Sequence, residues 1–266
     1  MSFRERLFFY LKKMAKHFLL KENAYGWFGD FSSWDDAKKQ TTGYDQDLIL
    51  NKVKLSLLKV KNGEEVYERD SVLFEEIQYS WGALSGLLFA AANNHDSLNV
   101  LDFGGSLGSC YFQNKNALKS VKKLSWNIVE QAHFVRTGKE NFSNDQLNFF
   151  ENIEEYKRSN PKTDVLFLSS VIQYIDKPYN LLNLLLDVDP SIIIVDITTF
   201  TNQGRDIITI QKVPPVIYDA SYPCWFFDQK NFIQFFIEKG FQKMGEWKMP
   251  YEINFGFHAG IILTKI

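Results

Sequence analysis

Asn99-Val-Leu-Asp-Phe-Gly-Gly-Ser-Leu-Gly108 joins a short run of buried-strand character to a glycine turn, with an acidic residue, Asp102, near the strand's end. A second acid, Glu130, closes the next such run, Leu124-Ser-Trp-Asn-Ile-Val-Glu130, about 20 residues beyond the turn. Glycines let the backbone approach a ligand, and a carboxylate beyond the second strand can accept both hydroxyls of a ribose. The chemistry implied is retention of a nucleotide-like cofactor. A dinucleotide would call for glycines spaced G-x-G-x-x-G, with a pyrophosphate at the following helix N-terminus. Gly104, Gly105 and Gly108 do not meet that spacing; the arrangement is Asp102-x-Gly104-x-Ser106-x-Gly108.

The elements that must position these residues follow from the hydrophobic pattern. From Asn99 onward short β-rich runs (Val100–Phe103, Trp126–Val129, Leu147–Phe150, Asp164–Leu168, Ile192–Ile197) alternate with helical stretches around Ala117 and over Ala132–Asn141, Ile153–Arg158 and Pro178–Leu186. Such alternation predicts a parallel sheet with helices on both faces. A helix over Gln229–Lys239 then leads to two strand-like runs, Phe241–Lys248 and Gly256–Thr264, joined as a terminal hairpin. Earlier in the chain, helical spacing appears over Phe3–Leu20, Asp47–Val60 and Ser71–Ala92, with Gly63 stopping the second. The first of these is basic and amphipathic, which suits contact with a membrane surface, packing on its own domain, or packing on a second subunit. Tyr25–Ala37 is aromatic and glycine-rich, and Ser33 is placed to cap a helix from Trp34. That segment reads as a lid over a pocket or as a loop pinned by Trp27 and Trp34. The expected division is an N-terminal helical and aromatic extension over 1–64 and a sheet-bearing domain over 65–266.

The turn is similar to the acidic-x-Gly-x-Gly-x-Gly turn of S-adenosylmethionine-dependent methyltransferases, with Ser106 at the middle glycine. Their cofactor has no pyrophosphate; the turn hugs a methionyl group while a nearby acid handles its ammonium. The chain further resembles a family of class I methyltransferases often encoded among bacterial surface-polysaccharide genes. The residues that carry this are Trp34-Asp-Asp-Ala37, Gly43-Tyr-Asp45, Tyr67-Glu-Arg-Asp-Ser71, Leu101-Asp-Phe-Gly-Gly-Ser-Leu-Gly-Ser109, Trp126 with Val129-Glu-Gln131, Ser169-Ser-Val-Ile-Gln-Tyr174, Val213-Pro-Pro-Val-Ile-Tyr218 and Ala220-Ser-Tyr-Pro223. The resemblance implies an α/β, Rossmann-like class I methyltransferase fold, with a mostly parallel seven-stranded sheet ending in an antiparallel hairpin and an N-terminal helical extension. It implies S-adenosylmethionine as cofactor and S-adenosylhomocysteine as product. The implied reaction is methylation of oxygen on a carbohydrate, or on a carbohydrate-linked anionic group of phosphate or phosphoramidate type, in capsule or lipopolysaccharide biosynthesis. One departure stands out: Asp196-Ile-Thr-Thr occupies a place where an arginine commonly follows the acid in the relatives.

On this reading Asp102, Gly104, Gly105, Ser106, Gly108 and Glu130 hold the cofactor, Gln131 contacts its adenosine, and Asn152 lies at the adenine by topology alone. His133 reads as an ordinary helix-start residue. Ser169 and Ser170 follow the fourth parallel strand, beside the methyl donor, because ligands of open α/β sheets bind at the carboxyl ends of strands. Gln173 and Tyr174 are placed to orient an acceptor, or to pack in a strand-to-helix turn. Tyr218 and Tyr222 line the acceptor cleft. Arg69 and Arg205 are the cations for an anionic acceptor, or members of ordinary salt bridges. For O-methylation a hydroxyl attacks the sulfonium methyl in line, helped by a base or by positioning alone. His258 and Asp196 are the alternative bases, with Tyr174 beside them.

Bulk properties narrow the field. A net charge of -2 gives no global attraction to nucleic acid, and the 16% aromatic content fits an aromatic-lined cleft. Two cysteines, Cys110 and Cys224, and four histidines show no metal-ligand spacing, so no metal is expected. No apolar run is long enough for a membrane span, and no signal peptide is seen, which together suggest a cytoplasmic location. The expected partner is a small-molecule or glycan acceptor, with an oligomer left open. Two rivals remain. A nicotinamide-dependent oxidoreductase is opposed by the glycine spacing and the terminal hairpin. A non-catalytic scaffold of the same fold is opposed by the retention of Ser106 together with Glu130.

Overall fold

A computed structural model describes residues 25–43, 46–159, 162–215, 217 and 220–266. The basic stretch Phe3–Leu20 and Tyr218 lie outside the described residues. Chain order begins with β1 (Gly26–Phe31), α1 (Trp34–Lys38) and α2 (Gln46–Lys61). Ser33 caps α1 as expected, its hydroxyl accepting the Asp36 N–H at 3.2 Å. Next come β2 (Tyr67–Arg69) and β3 (Val72–Phe74), paired as a hairpin, and then α3 (Trp81–Asn93). The helix expected over Ser71–Ala92 is therefore corrected: it begins only at Trp81, and the residues before it are strand and loop. Asp70 and Ser71 both have positive φ, 50° and 65°, which is the backbone of a two-residue hairpin turn and incompatible with a helix start.

The alternating half of the chain then supplies β4 (Ser97–Phe103), α4 (Ser109–Asn114), β5 (Lys123–Val129), α5 (Ala132–Asn141), β6 (Leu147–Phe150), α6 (Ile153–Ser159), β7 (Val165–Ser169), α7 (Pro178–Leu186) and β8 (Ile192–Thr201). It closes with β9 (Ile207–Val213), β10 (Ala220–Asp228), α8 (Gln229–Ile237), β11 (Phe241–Ile253) and β12 (Gly256–Lys265). Seven strands form the body of the sheet, in the order β6-β5-β4-β7-β8-β12-β11. The first five are parallel, and β12 runs antiparallel to β8 and to β11. This is the expected mostly parallel sheet ending in a reversed hairpin.

Besides the β2–β3 hairpin, three strands of the large sheet were not expected from sequence. β9 and β10 pair antiparallel, and β1 adds to the free edge of β9. This annex joins the body where β10 meets the far end of β8, at Phe227 with Phe200 and Asp228 with Thr201. The aromatic segment around Trp27 is thus an edge strand of the sheet.

Side chains alternate across the strands as the two-residue period demands. Val165, Phe167, Ile192 and Ile194 face α2, α3, α4 and α5, while Leu166, Leu168, Ile193 and Val195 face α6, α7 and α8. A sheet apolar on both faces, as parallel sheets are, must be covered on both. Among the described residues no helix is long and apolar enough to cross a membrane.

Trp247 on β11 shows how tightly α3 lies against the hairpin. A Cβ on Gly82 of α3 would stand 2.2 Å from the indole, and one on Gly260 of β12 would stand 2.1 Å from it. Gly260→Ala should therefore force the ring aside and destabilise the fold by about 1–3 kcal/mol. Urea unfolding of the variant checks this; an unchanged midpoint would mean the indole has room to move.

Candidate functional site

In an open α/β sheet the ligand crevice lies where consecutive strands start to wind in opposite directions. Here the chain goes from β4 outward to β5 and β6, then returns to place β7 on the other side of β4. The crevice therefore opens beyond the carboxyl ends of β4 and β7. The glycine turn follows β4 at that place, and Ser169-Ser170 ends β7 beside it.

The turn needs glycine at three of its five positions, while Leu107 is buried in the core. Gly104 has φ of 72° and a Cβ on it would strike the Val171 side chain at 2.4 Å; Gly108 has φ of 103°. Ser106 also sits at positive φ, 54°. Below the turn lies Asp102, 1% exposed, whose carboxylate accepts the Trp126 indole N–H at 2.9 Å. A Cβ on Gly105 would come within 2.5 Å of that carboxylate. Burial, with a smaller contribution from Glu130, pushes the Asp102 carboxyl up to about 7, against the pull of the indole hydrogen bond. Asp102 supports the turn from beneath.

Glu130 stands at the end of β5, and its carboxylate accepts the Gln131 N–H at 2.6 Å. Burial raises its pKa and that hydrogen bond lowers it. Gln131 is exposed at the N-cap of α5, without a side-chain capping bond. His133 lies in the first turn of that helix, against Phe134. Asn152 is exposed, and its side-chain oxygen accepts the Glu155 N–H at 2.8 Å at the start of α6. Its amide oxygen is thus engaged in helix capping.

On the other side of the turn, Asp196 is the last residue of β8 to pair with β7, opposite Ser169. It is 3% exposed; Ser80 donates to it at 2.9 Å and Ser169 at 3.3 Å. Burial raises its pKa, with Arg69 and the two hydroxyls opposing. The next residue, Ile197, has φ of 47°, an unfavourable value for a β-branched side chain. The register with β12 slips at the same level, between Ala259 and Ile261. This kink is where β8 parts from β7, and it leaves Asp196 at the fork. Ser170 donates its N–H to the Asp196 carbonyl at 2.9 Å, and Gln173, fully buried, donates to the Ile197 carbonyl at 3.1 Å. Gln173 thus shapes the fork from within through its Nε2, while its buried Oε1 has no partner.

The annex forms a second wall. Trp27, Gln211 and Tyr222 stand opposite one another across β1, β9 and β10, and so share one face. Tyr174 donates to the Gln211 side chain at 2.8 Å and its ring lies 5.1 Å from that of Tyr222. His258 on β12 lies between Trp27 and Tyr251, with ring centroids at 5.4 and 5.5 Å. Burial, and then the charge of Arg69, lowers its pKa to about 4, and its Nδ1 has no partner.

Of the two cations considered for an acceptor, Arg205 pairs with Asp30 at an exposed site on β1 and does not enter the cleft. Arg69 is held at the cleft by the β2–β3 hairpin. Glu68 before it is 1% exposed and accepts the Ser109 hydroxyl at 2.6 Å and the Ser71 N–H at 2.7 Å. Sequence reasoning passed over Glu68, Ser80, Gln211 and Tyr251. The one usable signal was the pattern Tyr67-Glu-Arg, Asp-Ser, Val-Leu-Phe74, two three-residue strands about a two-residue turn.

Two surface cavities, of about 380 and 480 Å³, lie elsewhere, between α2 and α4 and at the opposite ends of β7 and β8. Neither includes the turn. Among the described residues no group of histidine, cysteine or carboxylate side chains could hold a metal.

The strand order and its reversed last strand define a Rossmann-like class I methyltransferase fold. No protein-family model matches the sequence, and no curated protein matches it. Among solved structures, the chain is similar to the N-terminal domain of EvdMO1 in the presence of SAH and D-fucose. There the identity is 12% over 80% of this chain and 96% of that one, with a TM-score of 0.47. It is also similar to magnesium protoporphyrin IX methyltransferase (ChlM) of Synechocystis PCC 6803 with bound SAM (11% identity, 85% and 99% covered, TM-score 0.47). A third is the 1,6-didemethyltoxoflavin-N1-methyltransferase of Burkholderia thailandensis with bound 1,6-didemethyltoxoflavin and S-adenosylhomocysteine (10%, 84% and 91%, TM-score 0.45). These are distant likenesses, and the chemistry of the site rests on its own residues.

Burial holds the Glu68 carboxyl up at about 7, above its ordinary value near 4. The folded chain therefore keeps a proton on Glu68 that the unfolded chain loses between about pH 4 and 7, and stability from this group falls as pH rises through that window. Glu68→Gln should accordingly gain stability relative to wild type between pH 5 and pH 8, measured by urea unfolding. A stability difference independent of pH would show that Glu68 is charged in the folded protein throughout.

Proposed function

We propose that the protein transfers a methyl group from S-adenosylmethionine to an oxygen of a carbohydrate, or of a carbohydrate-linked anionic group such as phosphate or phosphoramidate, in surface-polysaccharide biosynthesis. The observation that carries the donor half is the position of the Gly104–Gly108 turn at the switch point of a class I sheet, with the Glu130 carboxylate at the next strand end. The donor fits this place. Gly104 and Gly105 have no Cβ to strike Val171 and Asp102, so the turn backbone packs down on the protein and leaves its outer side open, and Glu130 has the acidic oxygens a ribose diol needs. S-adenosylmethionine supplies an electrophilic methyl group when bound.

The protein's own residues do the rest. Glu130 accepts the ribose hydroxyls, the turn backbone lies along the methionyl chain, and Asp102 keeps that backbone in place from below. Ser169 and Ser170 border the same space from β7. An acceptor enters from the annex side, where Trp27, Tyr174 and Tyr222 offer ring faces and edges and Gln211 offers an amide. Aromatic rings beside a hydrogen-bonding amide suit a polyhydroxylated ring, and this supports the carbohydrate reading. Of the two alternative bases Asp196 is the better suited. Burial raises its proton affinity, whereas His258 is held near 4 and takes a proton less readily. Tyr174 already donates to Gln211, so its part is to orient the acceptor.

Titration calorimetry with S-adenosylhomocysteine should give one site per chain for the wild type and none for Gly105→Asp, whose side chain would strike the Asp102 carboxylate and displace the turn. No binding by the folded wild type would sink the proposal. With a radiolabelled donor and a panel of sugars and sugar phosphates, Asp196→Asn should lower kcat by about 10²–10⁴-fold, the usual worth of a general base. Unchanged turnover would transfer that role to His258 or to positioning alone.

A further inference from the structure

Arg69 is a cation held in place with little to hold on to. Its hairpin is fastened to the helix that the glycine turn opens. Glu68 accepts the hydroxyl of Ser109, the first residue of α4, at 2.6 Å, and Gln113 of the same helix donates to the Tyr67 hydroxyl at 3.2 Å. The side chain, 31% exposed, meets one carboxylate among the described residues at ion-pair distance, that of Asp70, through Nε at 3.9 Å. The Asp70 side chain is 69% exposed, so this contact is weak. No hydrogen bond engages the terminal nitrogens of Arg69 among the described residues. Asp196 is close enough for the two charges to act on each other, yet makes no ion pair with Arg69; one of its oxygens accepts from Ser80 and the other from Ser169. Cys110, in the first turn of α4, also lies within reach of the Arg69 charge. A planar fork of N–H donors is thus presented, unfilled, over the end of the glycine turn.

The donor proposed above carries an amino acid at one end, whose carboxylate needs a counter-charge in a cleft bordered by Glu130 and Asp196. We infer that Arg69 recognises the α-carboxylate of the donor's amino-acid end, and so serves the cofactor and not an anionic acceptor. The inference rests on the donor reading. Its ground is the fastening: the hairpin is tied to α4, next to the methionyl cradle, while the aromatic acceptor wall belongs to β1, β9 and β10. The Arg69 charge also reaches His258 and Tyr251, beside Trp27 of that wall, so the ligand comparison below separates the two ends of the cleft. The arginine of β9's flank, Arg205, is turned outward to Asp30.

The test compares ligands that differ in that carboxylate alone or lack the whole amino-acid end. On the wild-type protein, S-adenosylhomocysteine should bind about 10- to 100-fold more tightly than its α-carboxamide, the usual worth of a hydrogen-bonded charge. Arg69→Met should abolish that preference and leave the Kd of 5′-methylthioadenosine, which has no amino-acid end, within about twofold, as expected when no contact to the nucleoside is lost. Arg69→Lys should recover part of the preference. Retained 5′-methylthioadenosine binding also shows that the variants are folded. Equal losses for both ligands in Arg69→Met would assign the residue to the fold alone. An unchanged preference, with a raised KM for an anionic acceptor, would assign it to the acceptor. Either result overturns the inference while the donor reading stands; failure of the wild type to bind any of the three ligands overturns both.

Discussion

The closeness of the Gly105 backbone to the Asp102 carboxylate is the constraint on which the rest of the molecule depends. Asp102 sits under the turn, fully buried and held by the Trp126 indole. No side chain fits between it and the strand end above. The same turn is closed laterally by Val171 next to Gly104, and it is tied to β5 through the Gly104 N–H and the Val129 carbonyl at 2.9 Å. With the inner sides filled by protein, the outer side of the turn is left for a ligand. The switch point of the sheet puts that outer side between Glu130 and Ser169.

Much of this architecture is legible from residue pattern, for a physical reason. The parallel strands are apolar on both faces and bounded by polar turns, so β6 and the extents of α5 and α7 are read to the residue, and the reversed hairpin follows. The helix over Ser71–Ala92 failed because an apolar periodicity runs on through Val72 and Leu73. Asp70-Ser71 at positive φ is not the Asn-Gly or Asp-Gly pair that announces a tight hairpin turn. β10 was hidden by Pro223, which reads as a corner but sits within the strand opposite Ile210. The annex as a whole is a long-range fact: β1 meets β9 across most of the chain, and no local pattern records that.

The site divides in the same way. Residues at strand ends, such as Glu130 and Ser169, can be found from topology. The pattern around Glu68 could mark a hairpin but not its bond to Ser109, 41 positions away. Asn152 illustrates the converse. Topology puts it at the end of β6, but its amide oxygen caps α6. The cleft that results is acidic, with burial raising Glu68, Asp102, Glu130 and Asp196 together. Such a cluster tolerates its own charge better with a cation fixed nearby, and Arg69 is the one that the hairpin brings to it.

The central claim is that the turn and Glu130 form one nucleoside site. A crystal structure of the protein soaked with S-adenosylhomocysteine tests it most directly. The account predicts ribose hydroxyls within hydrogen-bond distance of the Glu130 carboxylate and the homocysteine chain along Gly104–Gly108. Ligand density in another cavity, or a ribose that leaves Glu130 without a contact, would contradict it.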